Sequence, residues 1–250
     1  MDLHLKDKHI LISGGSRGIG LACARQYLEE GARVSIISRS GCKLDNVYNI
    51  ISDVSNTVQA NNAVVRALAE NGSIDVLVNC AGSAKKCPPD ELSVGHYHEA
   101  MQAKFYTYIN VIEPVIREMA KQGTGSIVNV VGLGGKVAVQ THLPGGSANA
   151  ALLLTTAGYA SAYVKKGIRV NAVNPIATDT DLLQSSLEAD SSMNGITIEE
   201  ARKAADAKTA MGRILRPEEV ADSILFLSSD RASYINGQML YLDGGMYPFI

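Results

Sequence analysis

The chain has no tryptophan, no excess of one charge and no long uninterrupted apolar run. Its 250 residues contain 23 Lys+Arg against 25 Asp+Glu, a formal net charge of −2. This near-balance gives no electrostatic reason to expect a nucleic-acid or membrane-surface partner. The segment Val137–Val164 lacks Lys, Arg, Asp and Glu, but Pro144-Gly145-Gly146 interrupts it, so we expect no membrane span. Its composition instead predicts a helix buried against the protein's own sheet and another subunit.

Cysteine is also scarce. The four cysteines include no Cys-x-x-Cys pair, and we expect neither a disulfide nor a metal site. The N-terminal residues lack the apolar core of a signal peptide, so the sequence predicts a cytoplasmic protein with reduced thiols.

Short β-rich segments alternate with longer helical patterns along the chain. Such alternation predicts one α/β domain over residues 1–250, with helices on both faces of a parallel sheet. The predicted strands are His9–Ser13, Arg33–Ser38, Val47–Ile51, Asp75–Asn79, Ser126–Val131, Arg169–Asn174 and Gln238–Leu242. The predicted helices are Gly18–Glu30, Asn56–Asn71, Gly95–Lys121, Ser147–Lys166 and Pro217–Ser228. The polar segment Asp181–Ala210, with a turn at Asn194-Gly195 and a capping box at Thr197 to Glu200, is predicted to be a substrate lid.

A glycine-rich loop directly follows the first predicted strand and opens the first helix. It reads Ser13-Gly14-Gly15-Ser16-Arg17-Gly18-Ile19-Gly20. Glycine here permits a tight turn and lets a pyrophosphate approach the helix N-terminus. This context predicts a dinucleotide site made by Gly14, Ser16, Arg17, Gly18, Ile19 and Gly20.

The end of the second strand indicates which dinucleotide is preferred. Sites for NAD usually place an acidic residue there to bind the ribose hydroxyls. This chain has Arg39 instead, and Arg17 lies in the glycine loop. Two guanidinium groups suit a 2′-phosphate, so NADP(H) is predicted over NAD(H); the alternative is that both arginines are ordinary surface charges.

Five ordered motifs extend this pattern over nearly the whole chain. They are the glycine loop, Asp53-Val54, Asn79-Cys80-Ala81-Gly82, Asn174-Pro175 leading to Thr180, and the C-terminal run from Pro217-Glu218-Glu219-Val220-Ala221 to Asp243-Gly244-Gly245. Together they resemble the short-chain dehydrogenase/reductase family. The resemblance implies a single Rossmann-type, doubly wound domain with a seven-stranded parallel sheet. It also implies a homodimer or homotetramer formed through two long helices.

The resemblance further implies a set of cofactor contacts. They are Asp53, Val54, Asn79, Ala81, Gly82 and Thr180. The first two would contact the adenine, the next three would line the cleft, and Thr180 would approach the nicotinamide carboxamide. One departure is that Arg39–Asp53 is too short for the helix that usually joins the second and third strands.

The positions that carry catalysis in this family are all changed. Its members use an Asn-Ser-Tyr-Lys set, in which the tyrosine hydroxyl is the general acid/base and the lysine lowers its pKa. Here these positions fall on Lys104, Gly132, Gly145 and Asn149, and no tyrosine has a lysine four residues later. The usual tetrad is therefore absent.

Three polar residues are candidates for replacement chemistry. Lys104 lies where the family has asparagine, and Asn149 lies where the family has lysine, so these two residue types are exchanged between the two long helices. His142 lies three residues before the position at which the family has tyrosine. Histidine and a desolvated lysine can both transfer protons near neutral pH. Each candidate also has a structural alternative: Lys104 as a cavity filler, Asn149 as a backbone cap and His142 as a surface residue.

The sequence leaves the function open between two classes. The first is an NADP(H)-dependent oxidoreductase of a small carbonyl or alcohol substrate, with Lys104, His142 and Asn149 as catalytic residues. The second is a catalytically silent subunit that supports an active paralogue in a hetero-oligomer. Non-redox chemistry on the same fold is a lesser alternative, because a fold alone does not fix a function.

Overall fold

One parallel sheet organises the chain. The computed structural model describes residues 2–247, apart from the side chains of residues 185, 189 and 193. The strands are β1 (His9–Ser13), β2 (Arg33–Ser38), β3 (Val47–Ile51), β4 (Val76–Asn79), β5 (Gly125–Val130), β6 (Ile168–Pro175) and β7 (Met239–Leu242). They form a seven-stranded sheet in the order β3-β2-β1-β4-β5-β6-β7, with parallel pairing throughout. The predicted seven-stranded, doubly wound fold is confirmed. The strand order reverses between β1 and β4, and in such sheets ligands bind beyond the carboxyl ends of the strands at this point.

Helices cover both faces of the sheet. They are α1 (Gly18–Glu29), α2 (Thr57–Asn71), α3 (Val94–Ala100), α4 (Thr107–Gln122), α5 (Leu143–Tyr163), α6 (Asp181–Asn194), α7 (Ile198–Ala207) and α8 (Pro217–Ser228). Helices α2, α4 and α5 pack on one face, around a core that includes Leu77 and Ile112. Helices α1 and α8 pack on the other face, around Ile12 and Ile224. As expected from the length of the segment, β2 and β3 are joined without a helix.

Two predicted helices differ from the observed ones. The helix predicted over Gly95–Lys121 is interrupted, because a π-helical turn at Met101–Tyr106 joins α3 to α4. The helix predicted from Ser147 begins earlier, at Leu143, with Pro144 in its first turn where a missing N–H is tolerated. It also ends at Tyr163, before a short 3₁₀ turn that includes Lys166. Because a 3₁₀ turn at Gln140–His142 precedes this helix directly, the segment around His142 is largely helical.

The segment predicted as a lid contains two helices. Helix α6 ends at Gly195, whose left-handed φ of 64° makes the predicted turn. Thr197 and Glu200 then cap the start of α7 reciprocally, through side-chain bonds to each other's backbone N–H groups. The predicted turn and capping box are confirmed, and the role of this segment as a lid stays a prediction.

Three further findings apply to residues 2–247. No helix in that range has the length and apolar character needed to cross a membrane. The four cysteines are free thiols. Across the same residues, no three His, Cys, Asp or Glu side chains converge as metal ligands.

A buried histidine connects β1 to its neighbours at the amino edge of the sheet. His9 is fully buried, with Nδ1 3.0 Å from the Gly72 carbonyl oxygen and Nε2 2.9 Å from Ser35 Oγ. Desolvation lowers the pKa of His9 below its ordinary value of 6.5. Below pH 6.5 the unfolded chain therefore takes up a proton more readily than the folded chain. The contribution of His9 to stability is complete above that pH and is lost as the pH falls.

We expect the free energy of unfolding to be lower at about pH 5 than at about pH 7.5, with part of the difference due to His9. The variant His9→Phe lacks the titrating group, so the difference should be smaller in it, although lost hydrogen bonds make it less stable at both pH values. Urea unfolding of both proteins at the two pH values measures this. An unchanged difference in His9→Phe would assign the acid sensitivity to other groups.

Candidate functional site

The carboxyl edge of the sheet brings the predicted cofactor residues together. A Cβ placed on Gly14, where φ is +77°, would lie 2.7 Å from the backbone nitrogen of Ala81. A Cβ on Gly20 would lie 2.3 Å from the Gly14 carbonyl oxygen. Across the cleft, a Cβ on Gly18 would lie 3.2 Å from Thr180 Cγ2. The glycines therefore allow the loop after β1, the segment after β4 and the segment before α6 to meet.

The start of α1 is suited to an anion. Its N-cap residue, Arg17, makes no side-chain capping hydrogen bond, and the first turn contains no acidic residue. Unpaired N–H groups and the helix dipole at such a position favour a phosphate group.

A cavity of about 460 Å³ lies beside this loop. Its lining includes Ser16, Ser40 and two cations, Arg25 and Lys43. Neither cation was predicted from the sequence. The signal for Lys43 was the short connection between β2 and β3, which keeps it close to the end of β2. Arg17 and Arg39, the arginines that were predicted, are exposed.

The third strand is followed by a polar segment that is fixed to α4. Asp53 Oδ1 accepts a hydrogen bond of 2.9 Å from the Ser55 backbone N–H. This contact lowers the pKa of Asp53, and the charge of Arg39 adds to the effect. The Val54 carbonyl oxygen accepts a hydrogen bond of 2.9 Å from Asn110 Nδ2. The predicted adenine-side residues thus lie in a rigid segment next to Arg39.

Both ends of the Asn79 side-chain amide are hydrogen-bonded to other protein side chains. Its Oδ1 accepts a hydrogen bond of 3.0 Å from Ser13 Oγ, and its Nδ2 donates one of 3.0 Å to Asn129 Oδ1. Asn129 in turn donates to Thr156 Oγ1 on α5 at 2.9 Å. This buried chain ties together β1, β4, β5 and α5, so any cofactor contact at Asn79 falls to its backbone.

The π-helical turn directs the side chain of Lys104 inward, to the carboxyl end of β5 at the floor of the proposed cleft. Its side chain is buried, and Nζ donates to the Val130 carbonyl oxygen at 3.1 Å and to Tyr108 Oη at 3.0 Å. No carboxylate of the described residues forms a salt bridge with it, and desolvation lowers its pKa to about 8. Lys104 is therefore still charged at neutral pH, with one of its three N–H donors unused.

The imidazole of His142 occupies the space above Gly145. A Cβ on Gly145 would lie 2.2 Å from His142 Cε1 and 2.4 Å from Nε2. Desolvation lowers the pKa of His142, and the charges of Lys86 and Lys104 add to the effect, so the ring is neutral at pH 7. Its Nδ1 is buried and has no hydrogen-bond partner among the described residues. His142 is therefore half-buried, and its Nδ1 atom receives no hydrogen bond from the described residues.

Asn149 and His142 both border Gly134, where a Cβ would lie 3.3 Å from His142 Cδ2. A Cβ on Gly132 would lie 3.4 Å from Asn149 Nδ2, and a Cβ on Gly134 would lie 3.6 Å from the same atom. Asn149 is 6% exposed, and its Oδ1 has no partner within residues 2–247. It shares no hydrogen bond with Lys104, whose bonds go to Tyr108 and Val130. Asn149 and His142 thus border the same glycine, whereas Lys104 is bonded to Tyr108 and to the carboxyl end of β5.

Comparison with known proteins identifies the family. The profile of a family described as "Enoyl-(Acyl carrier protein) reductase" matches residues 14–247. The chain is 33% identical to the 3-oxoacyl-acyl-carrier-protein reductase FabG of Chlamydia trachomatis, over 97% of this chain and 98% of that protein. It is 35% identical to cis-4-hydroxycyclohexanecarboxylate dehydrogenase of Sinomonas cyclohexanicum, over 94% of each. The chain belongs to the short-chain dehydrogenase/reductase family.

Solved structures of other short-chain dehydrogenases/reductases superpose closely on this one. The ligand-free aldohexose dehydrogenase of Thermoplasma acidophilum gives a TM-score of 0.92 at 29% identity, over 100% of this chain and 99% of that one. The actinorhodin polyketide ketoreductase with NADPH gives 0.90 at 26% identity, over 97% and 98%. The resemblance inferred from the sequence motifs is confirmed for this short-chain dehydrogenase/reductase.

Proposed function

We propose that this chain is an NADP(H)-preferring oxidoreductase that interconverts a small alcohol and its carbonyl compound, with His142 as the proton-transferring group. The observation that carries the proposal is the imidazole above Gly145, the position at which the family pattern places tyrosine. The names of its relatives, which are reductases and dehydrogenases, support the reaction class.

The cleft fits a nicotinamide dinucleotide. Any side chain at Gly14 or Gly20 would collide with backbone atoms, which leaves a cradle at the start of α1. The residues that would hold the cofactor are Gly14, Ser16, Arg17, Gly18, Ile19, Gly20, Arg39, Asp53, Val54, Asn79, Ala81, Gly82 and Thr180, with Arg25 and Lys43 added by the structure. When bound, the nicotinamide ring supplies or accepts the hydride.

The electrostatics of the site decide how His142 acts. A neutral imidazole accepts the proton of a substrate hydroxyl, while the hydride leaves the carbon that bears that hydroxyl. In the reverse direction the imidazolium returns the proton to the carbonyl oxygen. The ammonium of Lys104 stabilises negative charge that develops on this oxygen, and it also disfavours protonation of His142. The neutral ring present at neutral pH is therefore the form that accepts the proton in alcohol oxidation.

The buried, unpartnered Oδ1 of Asn149 gives this residue a positioning role in the proposed reaction. An amide oxygen accepts hydrogen bonds only, so it selects a ligand group that donates one. A second substrate hydroxyl, or the hydroxyl that reacts, fits this requirement.

The proposed enzyme is a homo-oligomer that packs through its two long helices. The outward face of α5 carries the exposed small residues Ala150, Ala157 and Gly158, together with Leu154, which is 78% exposed. A face of this kind without charge is suited to a subunit contact.

Helices α6 and α7, which follow Thr180 directly, are proposed to close over the substrate as a lid.

The proposal is tested first by calorimetric titration of the purified chain with NADPH and NADH, followed by turnover assays on a panel of alcohols and ketones. Binding of NADPH with turnover supports the oxidoreductase. Binding without turnover supports the second candidate, a silent subunit of a hetero-oligomer, which is favoured by the four changed tetrad positions. No binding of either cofactor would overturn redox chemistry in this chain.

Arg39→Asp should weaken NADPH binding more than NADH binding, by about 1 kcal/mol or roughly fivefold. The reason is that a guanidinium makes a charge-assisted contact with a 2′-phosphate that NADH lacks. Dissociation constants for both cofactors in the variant and the parent measure the difference. Arg66→Asp, at an exposed position on α2, is the control for the change in net charge. If the substitution weakened the binding of NADPH and NADH equally, Arg39 would not contact the 2′-phosphate.

A further inference from the structure

Basic side chains border the wall of the cleft that faces His142. The segment after β4 lies directly on the start of α5, because a Cβ on Gly145 would lie 2.8 Å from Ala84 Cβ. The Cys87 backbone N–H donates a hydrogen bond of 2.8 Å to the Thr141 carbonyl oxygen. Lys86, next to Cys87, is thereby placed beside the residue that precedes His142.

The positive charge at this wall is not neutralised by the protein. Lys86 is exposed and forms no salt bridge with the described residues, and Lys104 in the floor has no carboxylate partner either. The nearest acids along the segment, Asp90 and Glu91, lie beyond Cys87 in the short helix Pro89–Glu91. The site is thus locally cationic in a chain whose formal net charge is −2. A cleft lined by charge of one sign concentrates ligands of the opposite sign.

Two polar groups without partners lie opposite this wall, at and before the start of α5. Asn149 Oδ1 and His142 Nδ1 are both buried and unbonded within residues 2–247. Buried polar atoms are nearly always hydrogen-bonded, so both atoms are available to a bound molecule that supplies a partner. Gly132 has no side chain to fill the space beside Asn149, whereas the space at Gly145 is filled by the His142 ring.

We propose that the substrate is an organic anion, a compact hydroxy or oxo carboxylic acid whose carboxylate is held by Lys86 at the mouth of the cleft. The reacting carbon then lies beside His142, and a substrate hydroxyl donates to Asn149 Oδ1. A single exposed lysine suits a monoanion better than a polyphosphate. This inference deepens the proposed function and rests on it for the identity of the reacting group.

Binding of unreactive probes tests the inference without any need for turnover. Cyclohexanecarboxylate and the neutral cyclohexanecarboxamide have nearly the same shape and differ in charge. Calorimetry on the full chain should show the carboxylate binding about tenfold more tightly than the amide, with a preference that falls as salt is raised. Lys86→Ala should abolish this preference. Lys85→Ala, the exposed neighbouring lysine, should leave it intact.

The outcomes separate this inference from the proposed function. Equal affinities for the two probes, or equal losses in the Lys86 and Lys85 variants, would overturn the anionic substrate. Turnover of a hydroxy acid with the same kcat/KM in Lys86→Ala as in the parent would also overturn it, and would leave the oxidoreductase standing. A carboxylate preference that depends on Lys86, in a chain that turns over no hydroxy acid, would support the anion site and count against the proposed reaction.

Discussion

His142→Ala is expected to lower kcat by about 100-fold or more and to leave the dissociation constant for NADPH unchanged. The imidazole fills the volume above Gly145 and has no structural hydrogen bond at Nδ1, so its removal takes away a proton-transfer group and little else. Steady-state turnover of the best alcohol substrate, together with a cofactor titration, measures both quantities. If kcat were unchanged, His142 would fill the space above Gly145 and take no part in catalysis.

Gly145→Ala tests the same contact from the opposite side. The new methyl group would lie 2.2 Å from the present position of His142 Cε1, so the ring must move and kcat should fall. In the His142→Ala background the methyl group meets no ring and keeps one close neighbour, Ala84 Cβ at 2.8 Å, so the second substitution should lower kcat by a smaller factor than it does in the parent. Gly158→Ala is the control on the same helix, because a Cβ there has no neighbour within 4 Å. If Gly145→Ala lowered kcat by the same factor with and without His142, the effect of Gly145 would not act through the His142 ring.

Most of the fold was predictable because the inner strands of the sheet, β1, β2, β4, β5 and β6, are buried on both faces. Parallel strands of this kind are continuous apolar runs bounded by glycine and polar residues, as in the run from His9 to Ser13. The glycine loop was predictable as a cofactor cradle for a related reason, since glycine patterns report close backbone approaches. The approach of Gly14 to Ala81 is such a case.

The remaining features depend on geometry that residue types do not encode. Nothing in the sequence marks the π-helical turn that directs Lys104 inward, because such a turn depends on backbone packing. The sequence pattern placed Asn79 at the cleft, yet both ends of its amide are bonded within the protein. Arg25 and Lys43 are distant in sequence, and only the folded connection between β2 and β3 brings them to one cavity. The start of α5 was misjudged since glycine and proline disfavour helices in general, although Pro144 is acceptable in a first turn.

Lys104→Met is expected to raise the free energy of unfolding at pH 7 by about 2 kcal/mol. Burial lowers the pKa of Lys104 from 10.5 to about 8, which corresponds to about 3 kcal/mol of unfavourable burial of the charged form. Methionine has a similar length and no charge to desolvate, while the lost hydrogen bonds to Val130 and Tyr108 offset about 1 kcal/mol of the gain. Urea unfolding of the parent and the variant at neutral pH measures the difference.

The pH dependence of this difference identifies its cause. Between about pH 8 and pH 10.5 the unfolded lysine keeps its proton while the folded lysine has lost it, so the parent gains stability as the pH rises. The advantage of Lys104→Met should therefore shrink over that range, and an advantage independent of pH would exclude the buried charge as its source. The proposed reaction needs the ammonium beneath the developing oxyanion, so the more stable variant should also lose turnover. If the variant were more stable but inactive, the charge of Lys104 would be needed for catalysis although it destabilises the folded protein. If the variant were less stable but fully active, Lys104 would contribute to packing and not to catalysis.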